Sequence, residues 1–446
     1  MNKILIIQSS YLKPNGKVYK SIVPGTVSFS LPLLAGLTPK EFGVEIMDDV
    51  LENIDFNADC DLVGITAMSF QAPRAYQIAN EFRKRGKKVV MGGFHASFFP
   101  EDAIKHCDAV VIGEAENIWA KLIEDFRNGN PQKFYQSPEL HSLKGLPVPR
   151  YDLLEIKLHG GLPIQAARGC PYQCDFCWVQ RLYRRSYRKR PIAEVVRDIQ
   201  SSRGYVNRFL FVDDNLMLDK NYAKDLFKAL IPLQIEWLTQ SDISIAEDPE
   251  LLDLCKESGC IFVFIGIESL NPDSLDSVRK NTVDPKHVSE NLRKIRRKGI
   301  PFCLSFIFGF DHDTKDTFRS SINFAIKNRA HYITPFIYTP IPGSKFDLQL
   351  QAEGRYIPAR RSDFSSFSHM HLQFIPKNLS VQDFEKEFRK ALSRFYSFRS
   401  AWVRILLPPL RYRNGLLSFK YNFWHFITNL FFMFKAWFGK HPVSSL

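Results

Sequence analysis

The chain has 446 residues, enough for two or three domains with a sizeable buried core. Its 45% hydrophobic and 24% charged residues are those of an ordinary globular protein and exclude wholesale disorder. The net charge of +13 is not spread as in a nucleic-acid binder: from Phe388 to Leu446 there are ten Lys/Arg and no acid, and the rest is nearly balanced.

The opening MNKILIIQSS reads as a first buried strand rather than an export signal, which places the thiols in a reducing cytosol. Short apolar runs follow at 44–48, 62–66, 88–93 and 109–113, separated by amphipathic stretches at 72–86 and 116–129. Such an alternation predicts a doubly wound parallel α/β domain over residues 1–135. Ligands of such sheets lie beyond the carboxyl ends of the strands. Those ends carry Ser9 and Ser10, Asp48 and Asp49, Thr66 to Ser69, Gly92 to His95, and Gly113 with Glu114. Residues 136–160 hold three prolines, Pro138, Pro147 and Pro149, and few periodic apolar positions, and read as a linker.

A second βα series occupies 161–360, with strands expected at 163–167, 208–214, 235–240, 260–268, 301–310 and 331–338. Six βα units in this length predict a complete or partial barrel with its site at the carboxyl ends of the strands. Asp219 reads as a helix N-cap. Residues 361–446 open with a helix at 380–398, capped by Ser380, whose face is Val381, Phe384, Phe388, Leu392, Phe395 and Phe398. Beyond it, 416–440 is basic and crowded with aromatics. It is too short and too interrupted by Lys420, His425 and Lys435 to span a bilayer, and reads either as an interfacial helix on an anionic membrane or as a helix packed on the barrel.

The loop after the first barrel strand is 166-AARGCPYQCDFCWVQRL-182, with Cys170, Cys174 and Cys177. Three cysteines do not pair into disulfides, and a structural zinc wants four ligands, so a zinc-stabilised basic module would need a distant fourth donor such as His159 or Cys255. Three thiolates on a [4Fe–4S] cluster leave one iron free for a small molecule. The spacing C-x3-C-x2-C, with Phe176 and Trp178 flanking the third cysteine, resembles the radical S-adenosylmethionine (SAM) superfamily. That resemblance implies a [4Fe–4S] cluster on the three cysteines, SAM chelated by the open iron, and reductive cleavage of SAM to a 5′-deoxyadenosyl radical. It also implies SAM contacts from Phe176, Trp178, Asp214, Ser241, Glu268 and Ser305.

The preceding α/β domain, with GGFHASFFPEDA (92–103) and VIGEAE (111–116), resembles the cobalamin-binding branch of that superfamily. The resemblance places a corrinoid over the first domain's strand ends, which makes Ser10, Thr66, Ser69, Gly92, Gly93, His95, Gly113 and Glu114 its expected contacts. Glycines there suit a flat macrocycle. The D-x-H-x-x-G motif that would supply a lower axial histidine is absent; 48-DDVLEN-53 stands in its place.

Segments 246–260 and 306–314, and the C-terminal extension, look similar to the hopanoid-methylase-like members. The implied activity is cobalamin-dependent radical methylation of an unactivated carbon in a lipid, isoprenoid or tetrapyrrole. A radical cyclase or ring-modifying enzyme with the same cofactors is the alternative. RNA methylthiolation is disfavoured, because only Cys60 and Cys107 precede the triad. The basic run RLYRRSYRKRP (181–191) reads as a solvated loop, a contact for an anionic substrate, or a dock for a flavodoxin or ferredoxin reductant. Nucleic acid is not an expected partner. The expected location is the cytoplasm, with membrane-surface association through 416–440. No residue is assigned as a general acid or base.

Overall fold

A computed structural model describes residues 2–21, 27–155, 159–406 and, in the tail, His425, Thr428 and Asn429. The chain divides into two compact units. The first comprises Met1–Cys170, Val179–Val212 and Ala359–Ser368; the second comprises Pro171–Trp178, Asp213–Pro358 and His369–Leu446.

The first unit is built on the strands β1 (Lys3–Gln8), β2 (Gly43–Asp48), β3 (Leu62–Thr66), β4 (Lys88–Gly92), β5 (Ala109–Ile112) and β6 (Phe134–Gln136). They form one parallel sheet in the order β2-β1-β3-β4-β5-β6. Side chains alternate across the pleat. Leu5, Ile7, Val63, Ile65, Val89 and Met91 meet Ala75, Ile78, Ala79 and Phe82 of helix Ala72–Lys84 on one face. Ile4, Ile6, Leu62, Val90 and Val111 meet Trp119, Leu122, Ile123 and Phe126 of helix Trp119–Arg127 on the other. Burying each of these larger side chains contributes roughly 1.5–3 kcal/mol. The sheet reverses its winding between β1 and β3, so Ser9, Ser10 and Thr66 stand at the switch point where such folds take ligands.

Strand β6 lies where the linker reading begins. Three residues are too few for a period to show. Downstream, Leu143, Leu146 and Tyr151 are single apolar anchors, each nearly fully buried. The same unit holds β7 (Leu162–Ile164), β8 (Ala167–Gly169), β9 (Tyr187–Lys189) and β10 (Arg208–Phe211). β7 pairs parallel with β10, whereas β8 pairs antiparallel with β9. The expected strand 163–167 is therefore two pieces. Its second piece ends at Gly169, at φ +90°, where a Cβ would collide with the carbonyl oxygen of Ser186.

The second unit carries β11 (Glu236–Ser241), β12 (Cys260–Glu268), β13 (Phe302–Phe308) and β14 (Tyr332–Ile337), parallel neighbours in chain order with helices between them. Asp219 accepts from the Tyr222 amide and Ser380 from that of Asp383, as read. Helix Val381–Phe395 buries Phe384, Phe388, Leu392 and Phe395, with Phe384 edge-on to Phe318 at 5.2 Å. Phe398 departs from that face. The helix stops at Phe395, Ser397 caps a new turn, and the Phe398 ring is 54% exposed, stacked on Trp402.

The 416–440 reading lies outside the described residues apart from His425, Thr428 and Asn429. Two of these pack on the start of β14. His425 Nδ1 pairs with the Tyr332 hydroxyl at 2.7 Å, and Asn429 Oδ1 accepts from the buried Arg404 at 2.8 Å. No helix among the described residues is long and apolar enough to cross a membrane.

Candidate active site

In the second unit, the cysteine loop is held by the segment after β12. The Asp175 amide donates to the Val278 carbonyl at 3.0 Å, the Asp175 carboxylate pairs with Arg279, and Cys174 Sγ lies 3.9 Å from the Arg279 carbonyl oxygen. The Cys177 amide closes a turn onto the Cys174 carbonyl at 3.0 Å. Cys174 is buried and Cys177 half-buried; Cys170, which belongs to the first unit, is half-buried as well. By residue type and spacing, three cysteines on a proline-turned loop match the donor set of an iron–sulfur cluster, although among the described residues no three metal-ligating side chains stand close enough together to hold a metal. Cys255 is not a spare zinc ligand: it is fully buried beside Cys260, and burial pushes its thiol far up. His159 belongs to the first unit.

Glu268 ends β12 at a bulge, with φ +65°, a strained conformation for a glutamate. Its carboxyl is buried and raised above the usual range by that burial, which Lys280 and a 3.1 Å hydrogen bond from Ser305 only partly offset. A Cβ on Gly266 would come within 2.5 Å of Glu268 Oε1 and 3.6 Å of Lys280 Nζ, so a larger residue there would displace the Glu268 carboxyl. The structure thus joins Glu268 to Ser305 and adds Lys280, which sequence reading missed.

The Ser241 hydroxyl donates to Asn215 Oδ1 at 3.3 Å, and Asn215 Nδ2 in turn donates to Asp242 at 2.7 Å. Asp214 is half-buried beside this network; Phe176 and Trp178 are half-buried in the cysteine loop. Asp313 was also missed. Its Oδ2 accepts from the amides of Gly309 and Phe310, and burial pushes its carboxyl up to about 7.

In the first unit, Ser10 is buried, its amide donating to Asp49 and its hydroxyl to the Tyr19 carbonyl. Ser69 is buried in a short 3₁₀ turn. Gly93 has φ +86°, and a Cβ there would lie 2.5 Å from Thr66 Oγ1, so the protein's own strand end already requires glycine. Gly92 is not so constrained: its Cβ would make an ordinary contact with Val111.

His95 is fully buried, hydrogen-bonded to Tyr76 at 2.6 Å and ringed by Phe99 and Phe364; burial lowers its imidazole to about 4. Asp49 pairs with Lys20 and Arg74 in the stretch where the lower-ligand histidine is absent. Gly113 donates to Ser97 at 2.9 Å. Glu114 is gripped by Arg168 and Arg188. Burial would raise its carboxyl, yet these two guanidiniums bring it down to about 2. A cavity of about 120 Å³ opens beside it, lined by Ser97, Gly113, Ser137, Arg181 and Arg184. Three cations of the basic run are engaged internally: Arg184 by the Pro138 carbonyl, Arg188 by Glu114, and Arg190 by Asp198.

Residues 164–325 match the Radical SAM superfamily and residues 34–123 the B12 binding domain. The bacteriochlorophyllide d C-12(1)-methyltransferase of Chlorobaculum tepidum is 28% identical over 415 residues, 90% of this chain and 90% of that protein. The hopanoid C-2 methylase of Rhodopseudomonas palustris is 26% identical, over 80% of this chain and 71% of its own length. An anaerobic magnesium-protoporphyrin IX monomethyl ester cyclase of Cereibacter sphaeroides is 22% identical, over 88% and 70%. The cobalamin-dependent SAM radical enzyme OxsB shares the fold, with a TM-score of 0.71 at 15% identity over 97% of this chain and 72% of that one. With a B12 binding domain ahead of a Radical SAM region that holds the three cysteines, the chain is similar to the cobalamin-binding radical SAM enzymes.

Proposed function

We propose that the chain is a cobalamin-dependent radical SAM C-methyltransferase acting on an unactivated carbon of an apolar substrate. The observation that carries this is the union, in one chain, of a B12-binding domain with the three-cysteine loop and the buried Glu268 at a neighbouring strand end. When bound, the cluster with SAM supplies a hydrogen-abstracting radical, and cobalamin supplies the methyl group. Cys170, Cys174 and Cys177 hold the cluster, and Asp175 and Arg279 keep their loop in place. Glu268 and Ser305, with Phe176, Trp178, Asp214 and Ser241, surround the nucleoside; Glu268 offers its carboxylate to ribose hydroxyls. Ser10, Thr66, Ser69, Gly92, Gly93 and Gly113 face the corrinoid. Residues 1–135 form the cobalamin part, 161–360 the barrel, and 361–446 a C-terminal extension.

A tetrapyrrole is the favoured substrate class, supported by the methyltransferase that matches over 90% of both chains. Exposed Arg181, Arg185 and Lys189 support a flavodoxin or ferredoxin reductant. The exposed Phe398–Trp402 pair, just ahead of the basic tail, supports a membrane-surface location on the cytoplasmic side. Methyl-labelled SAM, incubated anaerobically with the reconstituted enzyme and chlorophyllide-type, porphyrin and hopanoid substrates, tests the reading. Label retained in a product supports methylation; an unlabelled, ring-modified product would move the chain to the cyclase reading, which the cyclase relative supports.

A further inference from the structure

β8 and β9 set Arg168 directly opposite Arg188, an arrangement that repels unless an anion lies between them. Glu114 is that anion. Its Oε1 accepts from Arg168 at 2.9 Å and from Arg188 at 2.6 Å, and its Oε2 accepts from Arg188 at 2.8 Å and the His141 amide at 2.9 Å. Glu116 pairs with Arg168 at 2.6 Å, and Gln165 Oε1 takes its remaining donors at 2.8 and 3.1 Å. The Tyr183 ring lies 5.9 and 5.7 Å from the two guanidiniums. The side chains of Arg168, Glu114 and Glu116 are at most 7% exposed.

Two sequence facts make this more than a buried ion pair. Glu114 is the second residue past β5, at the carboxyl end of the B12-binding sheet; Arg168 is two residues before Cys170. We propose that Glu114 is a positioning residue for the cysteine loop, fixing Cys170 against the carboxyl end of β5 through Arg168 and Arg188. This rests on the radical SAM reading. A fork of guanidinium donors closing on one carboxylate sets direction as well as distance, which an apolar pair of similar volume would not. Strands of three residues have little register of their own, so the network supplies it.

The test uses the full chain reconstituted with iron and sulfide. Glu114→Gln keeps the shape and removes the charge; Arg168→Lys and Arg188→Lys keep the charge and remove the fork. Iron content and thermal midpoint report the fold and the cluster. Positioning is read from the electron paramagnetic resonance spectrum of the reduced cluster, with and without SAM, and from SAM affinity. The folded variants should retain iron, shift or broaden the SAM-induced spectrum, and lose about tenfold or more in SAM affinity, as for partners lying just behind metal ligands. Wild-type spectra and affinity in every variant that folds would overturn the proposal, as would failure of all three to fold, which would make the network simply structural. A wild-type chain that takes up iron with no spectral response to SAM would instead overturn the reading beneath it.

Discussion

Two buried glutamates at strand ends have been driven in opposite directions. Glu114, two residues past β5, sits between two guanidiniums and is held at about 2. Glu268, at the end of β12, is buried with a serine hydroxyl and an offset lysine, and is raised above its ordinary value. The first is fully partnered by the protein and sets geometry. The second is strained and under-partnered, as expected of a group whose partner is a ligand. Burial alone does not tell a positioning carboxylate from a binding one; the count of fixed partners does.

That contrast can be broken at several points. Cys174→Ala and Cys177→Ala should abolish the cluster outright, with iron content and visible absorbance falling to background after anaerobic reconstitution. Glu114→Ala removes the carboxylate from between two opposed arginines, leaving Arg168 only Glu116 as its anion, and should cost up to roughly 3–5 kcal/mol in denaturant unfolding. Because its folded value is depressed, the Glu114 contribution is present above about 4.5 and is lost as pH falls toward 2; acid titration of wild type against Glu114→Gln reads that window. Gly169→Ala, forced to hold φ +90° against the Ser186 carbonyl, should cost about 1–3 kcal/mol and loosen the β8–β9 hairpin next to Cys170, measurable by amide exchange.

The smallest effects have the opposite sign. Glu268→Gln should stabilise the fold at neutral pH by about 0.5–2 kcal/mol while weakening SAM binding, which calorimetry separates. Asp313, raised to about 7, costs nothing below 3.8 and destabilises progressively as pH climbs from there through 7; Asp313→Asn should flatten stability across that window.

Local features were legible in the sequence. The cysteine spacing, the strand at 260–268 and the caps at Asp219 and Ser380 each lie within a few residues of their own signals. Features made by distance were not. Glu114 reads as a polar residue at a ligand-facing strand end because its partners Arg168 and Arg188 lie 54 and 74 residues away. The basic run 181–191 reads as a solvated loop or an outward-facing contact for the same reason, since Arg188 and Arg190 find buried acids only in the fold. Strand β6 is too short to carry a period, and the break between β7 and β8 depends on an antiparallel partner 20 residues on. Lys280, Asp175 and Asp313 acquire meaning only from what packs beside them.

The most direct test of the account is anaerobic reconstitution with iron, sulfide and hydroxocobalamin, followed by desalting, metal analysis and an absorption spectrum. The account predicts about four irons and about one cobalt per chain, with the cluster lost in Cys174→Ala and the cobalt retained. Four irons without cobalt would contradict the methyl-transfer mechanism and leave the first unit's strand ends without their ligand.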